Sequence, residues 1–284
     1  MQRLIRLLQP FERVGSTRSA ALMRLGVPLL LWSRFAGELL PFKAIGGAHP
    51  WVAACFFVFT TATFVGVASS LSSLLLGATM VWMWIVIGVQ GGHEPWTHHH
   101  TFLLTVAPIL LAFTPSGGSY SVDRWLAVRR ARRLGGAPPP ERGPSWGLGL
   151  IALQLSSVWF WGAFDKCNPA FWSGVRMQHY FLSYYFGSDP PAGSWFAPLM
   201  QALAIGTIVV EFALPVGLWF RPLRVPLALV AVVFHAMLYL ALPVGPFSLT
   251  MALLVLAYFD PDDVHAFLDE LQDRPAPRAA DHAA

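Results

Sequence analysis

The 284-residue chain has few charged residues. Asp, Glu, Lys and Arg make up 12% of the sequence, about half of the share found in soluble globular proteins. Hydrophobic residues make up 55%, and there are 21 Phe and 12 Trp. A water-soluble fold cannot cover so much apolar surface with so few charges, and a disordered chain has the opposite composition. The composition therefore predicts an integral membrane protein.

Cysteine is also scarce. Cys55 and Cys167 are too few for a disulfide framework and have no CxxC spacing. Cys55 lies inside one apolar run and Cys167 directly follows another, so we do not expect them to pair. The first apolar run has no small-residue cleavage site after it, so no cleavable signal is expected.

Apolar runs predict an all-α fold, a polytopic helical bundle of about eight transmembrane segments. Charged or titratable side chains inside the runs cost about 2.5–3.5 kcal/mol each, so Glu211 and His235 are expected to face a partner or a cavity. Arg34 and Glu38 are four residues apart on one helical face and are expected to pair. The runs lie near residues 21–41, 51–69, 72–91, 98–114, 147–165, 197–219, 225–242 and 246–259.

Basic residues predict the orientation of the bundle. With the N-terminus inside, 15 of the 19 Lys and Arg lie in inner segments. Both termini are therefore expected in the cytoplasm, with the transmembrane domain (21–260) in a bacterial inner membrane. The inner segments are 1–20, a Pro/Gly-rich linker over 115–146, and the tail 261–284. In the linker, the run Arg129–Arg133 indicates a stop signal and an anionic-lipid contact rather than nucleic-acid binding.

Two segments on the inner side have recognisable patterns. Gly135–Pro144 predicts a flexible linker that joins the first four spans to the last four. Asp260–Asp273 predicts a short amphipathic helix at the membrane surface, capped by Asp260 and with Pro261 in its first turn. The Pro/Ala-rich residues that follow predict a disordered tail.

A histidine-rich loop is predicted on the outer side. It contains His93, Glu94, His98, His99 and His100. Such a cluster suits zinc, haem or proton transfer, and an ordinary wet interfacial loop is the alternative. Adjacent histidines on one helical turn point in different directions, so few could share one metal. We therefore assign no metal ligands here.

Lys166, beside Asp165, ends the fifth span on the same outer side. It is either an interfacial anchor or, when partly desolvated, a usable base. Asn168 and Pro169 predict a helix start directly afterwards. That helix is aromatic and is expected to lie over the bundle mouth or to flank the entry of a flat, lipid-soluble substrate. Its aromatic residues are Phe171, Trp172, Tyr180, Phe181, Tyr184 and Tyr185.

Three motifs, in the same order, resemble the HTTM membrane-domain family, which includes the vitamin K-dependent γ-carboxylases. His99–Leu103 (HHTFL) is similar to the family's Asn-His-Tyr-Tyr-Leu-like motif. Trp159–Lys166 (WFWGAFDK) is similar to its Tyr-Phe-x-Ala-Gly-x-Lys-Lys segment, and Phe234-His235 followed by Gly245–Phe247 is similar to its Phe-His segment and Gly-x-Phe. The resemblance covers about residues 15–260.

The resemblance implies a quinol-dependent enzyme, similar to the carboxylase or to an epoxidase. Lys166 would be the base, His100 would assist a later proton step, and the cofactor would be a reduced quinone like vitamin K hydroquinone. Membrane lipids and an outer-side peptide or protein substrate are the implied partners. A non-catalytic membrane assembly, maturation or immunity factor is an alternative, as is a quinone- or haem-linked redox protein. The residues expected to line the substrate cavity are His99, His235, Glu211, Trp161 and Trp172.

Overall fold

The computed structural model describes residues 14–40, 50–97, 99–187, 193–242 and 245–273. Regular structure in these ranges is almost entirely helical, as the apolar runs predicted. Most of the basic segment 1–20, the tail after residue 273, and the side chains of His99 and His100 lie outside the described residues. The helices are α1 (Arg18–Leu39), α2 (Trp51–Val65), α3 (Ser69–Met83), α4 (Glu94–Thr97), α5 (His99–Ala112), α6 (Val122–Arg133), α7 (Trp146–Lys166), α8 (Pro169–Trp172), α9 (Val175–Phe181), α10 (Phe196–Gly217), α11 (Arg221–Ala241), α12 (Phe247–Leu254) and α13 (Pro261–Asp273).

Four helices in the described ranges are long and apolar enough to cross a membrane, where the apolar runs predicted about eight spans. Three other predicted spans correspond to the shorter apolar helices α2, α5 and α12. The last is α1, which contains Arg18, Arg24, Arg34 and Glu38. The four candidate spans are Ser69–Gln90, which continues α3 through a π-helical turn, Trp146–Lys166, Phe196–Gly217 and Arg221–Leu240.

The longer helices pack against one another in chain order. Each of α1, α2, α3, α5, α7, α10 and α11 contacts the next, and α11 contacts α12. The short α12 also contacts α1, α5 and α7, and α1 contacts α5, so the first and last helices pack together. Large apolar side chains fill the interior, among them Phe35, Phe56 and Trp96, all fully buried.

A small sheet joins the two halves of the chain outside the helices. Strand β1 (Val14–Ser16) pairs antiparallel with β2 (Arg142–Pro144). The all-α prediction did not include this sheet, and the linker Gly135–Pro144, predicted to be flexible, is held by it at one end. The backbone N–H of Ser16 also donates to Asp262 of α13 (3.0 Å). We refer to β1, β2 and α13 together as the clasp.

Ion pairs reinforce the clasp. Arg18, at the start of α1, donates to Glu141 (2.9 Å) and to Asp269 of α13 (2.5 Å). Burial by itself raises the pKa of Glu141, but hydrogen bonds, first that from Arg18, outweigh this and hold the pKa below its ordinary value. The predicted cap is confirmed, since the Asp260 side chain accepts a backbone hydrogen bond from the first turn of α13.

Arg24 of α1 is a fully buried arginine. Its guanidinium donates to the backbone carbonyls of Thr63 (2.7 Å) and Phe64 at the end of α2. It also donates to the carbonyls of Ser116 (3.2 Å) and Tyr120 (2.6 Å) in the turn after α5. One side chain therefore joins α1 to the ends of two other helices.

The turn between α2 and α3 requires a glycine. Gly66 has φ of +74°, and a Cβ there would lie 2.4 Å from the Cβ of Ser121 and 2.9 Å from a nitrogen of Arg24. Asp123 of α6 then caps α3 by accepting from the backbone N–H of Ser69 (2.7 Å). These contacts fix the start of α6 beside the start of α3.

The helices alternate in direction, so the bundle has two ends. α1 begins beside β1 and α7 begins directly after β2, and we refer to this end as the basic end. α5 finishes there as well, because the rings of Phe113 and Trp146 lie 5.5 Å apart. α5 and α7 are therefore antiparallel. His99 at the start of α5 and Lys166 at the end of α7 both lie at the opposite end, the far end.

Candidate functional site

The far end contains an ion pair between two helices. Lys166 Nζ lies 2.8 Å from Glu211 Oε2 and 3.0 Å from Oε1, and it also donates to the carbonyl of Gly162 (3.0 Å). The Glu211 side chain is 10% exposed and that of Lys166 26%. The partner of Lys166 is thus on α10 and is not the adjacent Asp165. The expectation that Glu211 faces a partner is confirmed.

A short helix lies next to this pair. The Asn168 side chain caps α8 by accepting from the backbone N–H of Phe171 (3.1 Å), with Pro169 in the first turn, as the sequence predicted. This turn places the Phe171 ring centroid 5.9 Å from Lys166 Nζ, at the outer limit of a cation–π contact. Phe171 is buried, so it shields one side of the ammonium group from water.

Two tryptophans that were expected in the cavity lie on the surface of the chain. Trp161 is 60% exposed and packs against the rings of Phe160 and Phe164. Trp172 at the end of α8 is 47% exposed. Both are within six residues of Lys166 in the sequence, so each exposes an aromatic ring at the far end.

His235 of α11 is buried and accepts a hydrogen bond at Nε2 from Trp159 Nε1 (3.1 Å). An indole N–H can only donate, so Nε2 is unprotonated and a neutral ring carries its proton on Nδ1. Within the described part of the chain, buried Nδ1 has no hydrogen-bond partner. Trp159 and Lys166 are seven residues apart on one face of α7, which separates them by about 10 Å along the helix.

The sequence did not indicate a third polar contact on α7. Ser156 Oγ lies 2.7 Å from the Tyr258 hydroxyl and accepts from Trp219 Nε1 (3.0 Å). The spacing of Ser156, Trp159 and Lys166 places all three on one helical face. This spacing was the only sequence signal that the three side chains share a face. It is a weak signal, because a Trp at helical spacing usually indicates only an apolar core. α7 therefore carries a row of polar side chains that contact Glu211 of α10, His235 of α11, Trp219 directly after α10 and Tyr258 in the 3₁₀ turn after α12.

The histidine-rich loop is only partly described. His93 is exposed, His98 lies outside the described residues, and α5 begins at His99 and His100, whose side chains are not described. Among described side chains, no group of three His, Cys, Asp or Glu is arranged to hold a metal.

The predicted Arg34–Glu38 pair at the end of α1 is confirmed at 2.6 Å. Glu38 also accepts from Trp96 Nε1 (2.8 Å), and Arg34 donates to the carbonyl of Pro95 (3.3 Å). The end of α1 is thereby held against the segment that leads into α5.

The Lys166–Glu211 pair can hold and move a proton without a change in net charge. An ammonium with a carboxylate, or an amine with a carboxylic acid, is neutral overall, and the hydrogen bond between the groups connects the two states. In the second state the amine is a proton acceptor. Partial exposure of Lys166 leaves that acceptor within reach of a molecule at the far end.

Comparison with known families matches residues 46–262 to the HTTM domain. The match covers more than half of the chain and contains α2 to α12, including all three motifs that resemble the family. No curated protein and no solved structure matches the chain. With its apolar helices and this match over most of its length, the chain belongs to the HTTM domain family, a family of membrane proteins.

Proposed function

We propose that this protein is a quinol-dependent enzyme of the carboxylase or epoxidase type, with Lys166 as its base. One observation carries the proposal: the lysine that matches the family motif forms a largely buried pair with Glu211. Charges within membrane helices are costly, and they often mark the site of function.

Glu211 gives Lys166 a route for its proton. A lysine acts as a base only after it has lost a proton, and the carboxylate 2.8 Å away accepts it directly. The amine then takes the proton of a substrate hydroxyl, and Phe171 limits access of water to the amine. Glu211 is then a neutral acid, and the new ammonium lies beside the quinol oxygen that has lost its proton, so these two opposite charges stabilise each other.

A quinol fits the surroundings of this pair. The molecule is flat and lipid-soluble, and the exposed rings of Trp161, Phe164 and Trp172 are groups against which it can stack. When bound, a reduced quinone supplies the driving force through its oxidation by O₂ to the epoxide, which generates a base strong enough to remove a carbon-bound proton. The chain itself positions the quinol hydroxyl and takes up its proton.

The histidines have separate roles in the proposal. His100, with His99 beside it, starts α5 at the far end, where it would assist a later proton step on a peptide or protein substrate. His235 is neutral and bound to Trp159, so it would support the α7–α11 contact and line the inner side of the site.

A non-catalytic membrane factor is the second candidate. Both carboxylate oxygens of Glu211 lie within hydrogen-bond distance of Lys166 Nζ. Such a closed pair is also what a purely structural connection between α7 and α10 would require.

Quinol turnover separates the two candidates. We expect the purified protein in nanodiscs to convert a naphthoquinol and O₂ to the epoxide, measured by mass spectrometry, and to retain bound quinone from the membrane. The control is the neutral double variant Lys166→Met/Glu211→Gln, which removes both charges together and leaves neither buried alone. It should fold and be inactive. Wild-type turnover no faster than that of the double variant, across several quinols, would favour the non-catalytic factor.

We also propose that the basic end faces the cytoplasm, in a bacterial inner membrane. In a background without Cys55 and Cys167, a cysteine at His93 should react with an impermeant maleimide in intact cells. A cysteine at Gly136 should react only after permeabilisation. Both positions are exposed, so a reversed pattern would mean the opposite orientation.

A further inference from the structure

Helix α6 lies at the basic end and has an unusual surface. It begins with a Ser121 cap and has no buried residue. Its start is fixed because Asp123 caps α3. α6 therefore lies where a membrane-crossing helix starts, at the boundary between lipid and water.

Its arginines differ from the other arginines of the basic end. Every other described arginine there binds an acceptor within the chain: Arg18, Arg24, Arg124, Arg142, Arg221 and Arg224. The guanidinium groups of the four arginines from Arg129 to Arg133 form no hydrogen bond or ion pair with the described part of the chain. Arg129 only lies over the Trp125 ring, with its guanidinium carbon 5.1 Å from the centroid. These four charges are thus available to an external anion.

The same face of α6 combines these charges with apolar side chains. Trp125, Val128, Arg129, Arg132 and Arg133 line a cleft of about 440 Å³. Trp125 is 56% exposed. Tryptophan beside arginine is typical of the headgroup level of a membrane, where the indole contacts both lipid and water.

We propose that this cleft binds the phosphate group of an anionic phospholipid in the leaflet at the basic end. The guanidinium groups of Arg129, Arg132 and Arg133 match a phosphate in charge and in hydrogen-bond geometry. Trp125 contacts the glycerol and upper acyl region. A water-soluble anion would need no such apolar neighbour.

The adjacent surface of α3 accommodates the acyl chains. α3 begins at Ser69, the residue capped from α6, and its first turns expose Leu71, Leu74 and Leu75. A headgroup held on α6 would therefore place its acyl chains along an apolar helix that already faces lipid. This continuity favours a phospholipid over a nucleic acid or an acidic protein.

Lipid titration of the full-length protein in neutral detergent tests the site. The probe is a fluorescent short-chain phosphatidylglycerol, compared with phosphatidylcholine. The variant is the triple Arg129→Gln/Arg132→Gln/Arg133→Gln. Each arginine near anionic lipid contributes about 1 kcal/mol, so the triple change should weaken phosphatidylglycerol binding by about a hundredfold and phosphatidylcholine binding little.

A matched control removes the same net charge elsewhere. Arg142→Gln/Arg176→Gln/Arg221→Gln changes three exposed arginines outside α6 and should keep the affinity for phosphatidylglycerol. The triple Arg129→Lys/Arg132→Lys/Arg133→Lys keeps the charge but loses the planar fork, so it should bind with intermediate affinity. If the glutamine triple does not fold, the affinity of this lysine triple for phosphatidylglycerol is compared with that of the wild type instead.

Four results would overturn the proposal. The first is equal affinity of the wild type for the two lipids. The second is an equal loss of affinity in both glutamine triples, and the third is an unchanged affinity in both α6 triples. The fourth is displacement of the lipid by glycerol phosphate or by an oligonucleotide at the concentration at which unlabelled phosphatidylglycerol displaces it, since the site would then recognise a soluble anion.

Discussion

Lys166→Arg is expected to lower quinol turnover by roughly two to four orders of magnitude while the bundle stays folded. Arginine keeps the positive charge and can pair with Glu211, so the α7–α10 contact is preserved. A guanidinium stays protonated in proteins and cannot accept the proton of a quinol hydroxyl. The measurement is epoxide formation in nanodiscs under saturating quinol, with the unfolding temperature recorded for the same preparation.

The sequence provides a matched control, because Lys43 is the only other lysine. Lys43→Arg makes the same chemical change and should leave turnover unaltered. Lys166→Met alone is less informative, because it leaves Glu211 buried without its partner and lowers the free energy of unfolding by about 3–5 kcal/mol. A loss of turnover in that variant could then result from unfolding rather than from loss of the base. Equal turnover in the wild type and Lys166→Arg would exclude Lys166 as the base.

Arg24→Met is expected to lower the free energy of unfolding by about 3 kcal/mol or more. The substitution removes the Arg24 donors from the carbonyls of Phe64 and Tyr120, while the Thr63 carbonyl keeps only its hydrogen bond from the Gly66 N–H (3.2 Å). A buried acceptor left without a partner costs about 1–3 kcal/mol, and several are affected together. Arg24→Lys should lower the free energy of unfolding by an intermediate amount. Its single ammonium group cannot reach both the carbonyls at the end of α2 and those in the turn after α5.

Unfolding of the purified protein by heat or by SDS measures this loss. Arg142→Met is the control: its side chain is 48% exposed in a pair with Asp262, and such a pair contributes at most about 1 kcal/mol. If Arg24→Met and Arg142→Met lost the same stability, the buried hydrogen bonds of Arg24 would not be the cause.

Sequence patterns predicted that polar residues of the spans have partners, but not always which partners. Arg34 and Glu38 are four residues apart, so helix geometry alone predicted their pair. Lys166 and Glu211 are 45 residues apart, and their pairing depends on how α7 packs against α10. The cost of a buried charge indicated that Glu211 needs a partner, while the only local candidate for Lys166 was Asp165.

The basic end was harder to predict for a different reason. Arg24 was one of several basic residues that indicated orientation, and nothing in its neighbourhood marks it as buried. Its acceptors are backbone carbonyls, which every sequence contains. The strand β2 could not be predicted either. Arg142–Pro144 lies in a Pro/Gly-rich stretch that is typical of linkers, and three residues are too few to show the alternating pattern of a strand.

The clasp has a consequence for the order in which the protein is made. β1 leaves the ribosome before β2, which is 128 residues later in the sequence, and α13 follows the helices α1 to α12. Ser16 and Arg18 can therefore form their hydrogen bonds only after Asp262 and Asp269 have been synthesised, about 250 residues later in the sequence. Contacts this distant in sequence form late and slowly. A nascent chain has its helices inserted before its basic end is held together by the clasp, so we expect this end to be the part most exposed to proteases during biogenesis.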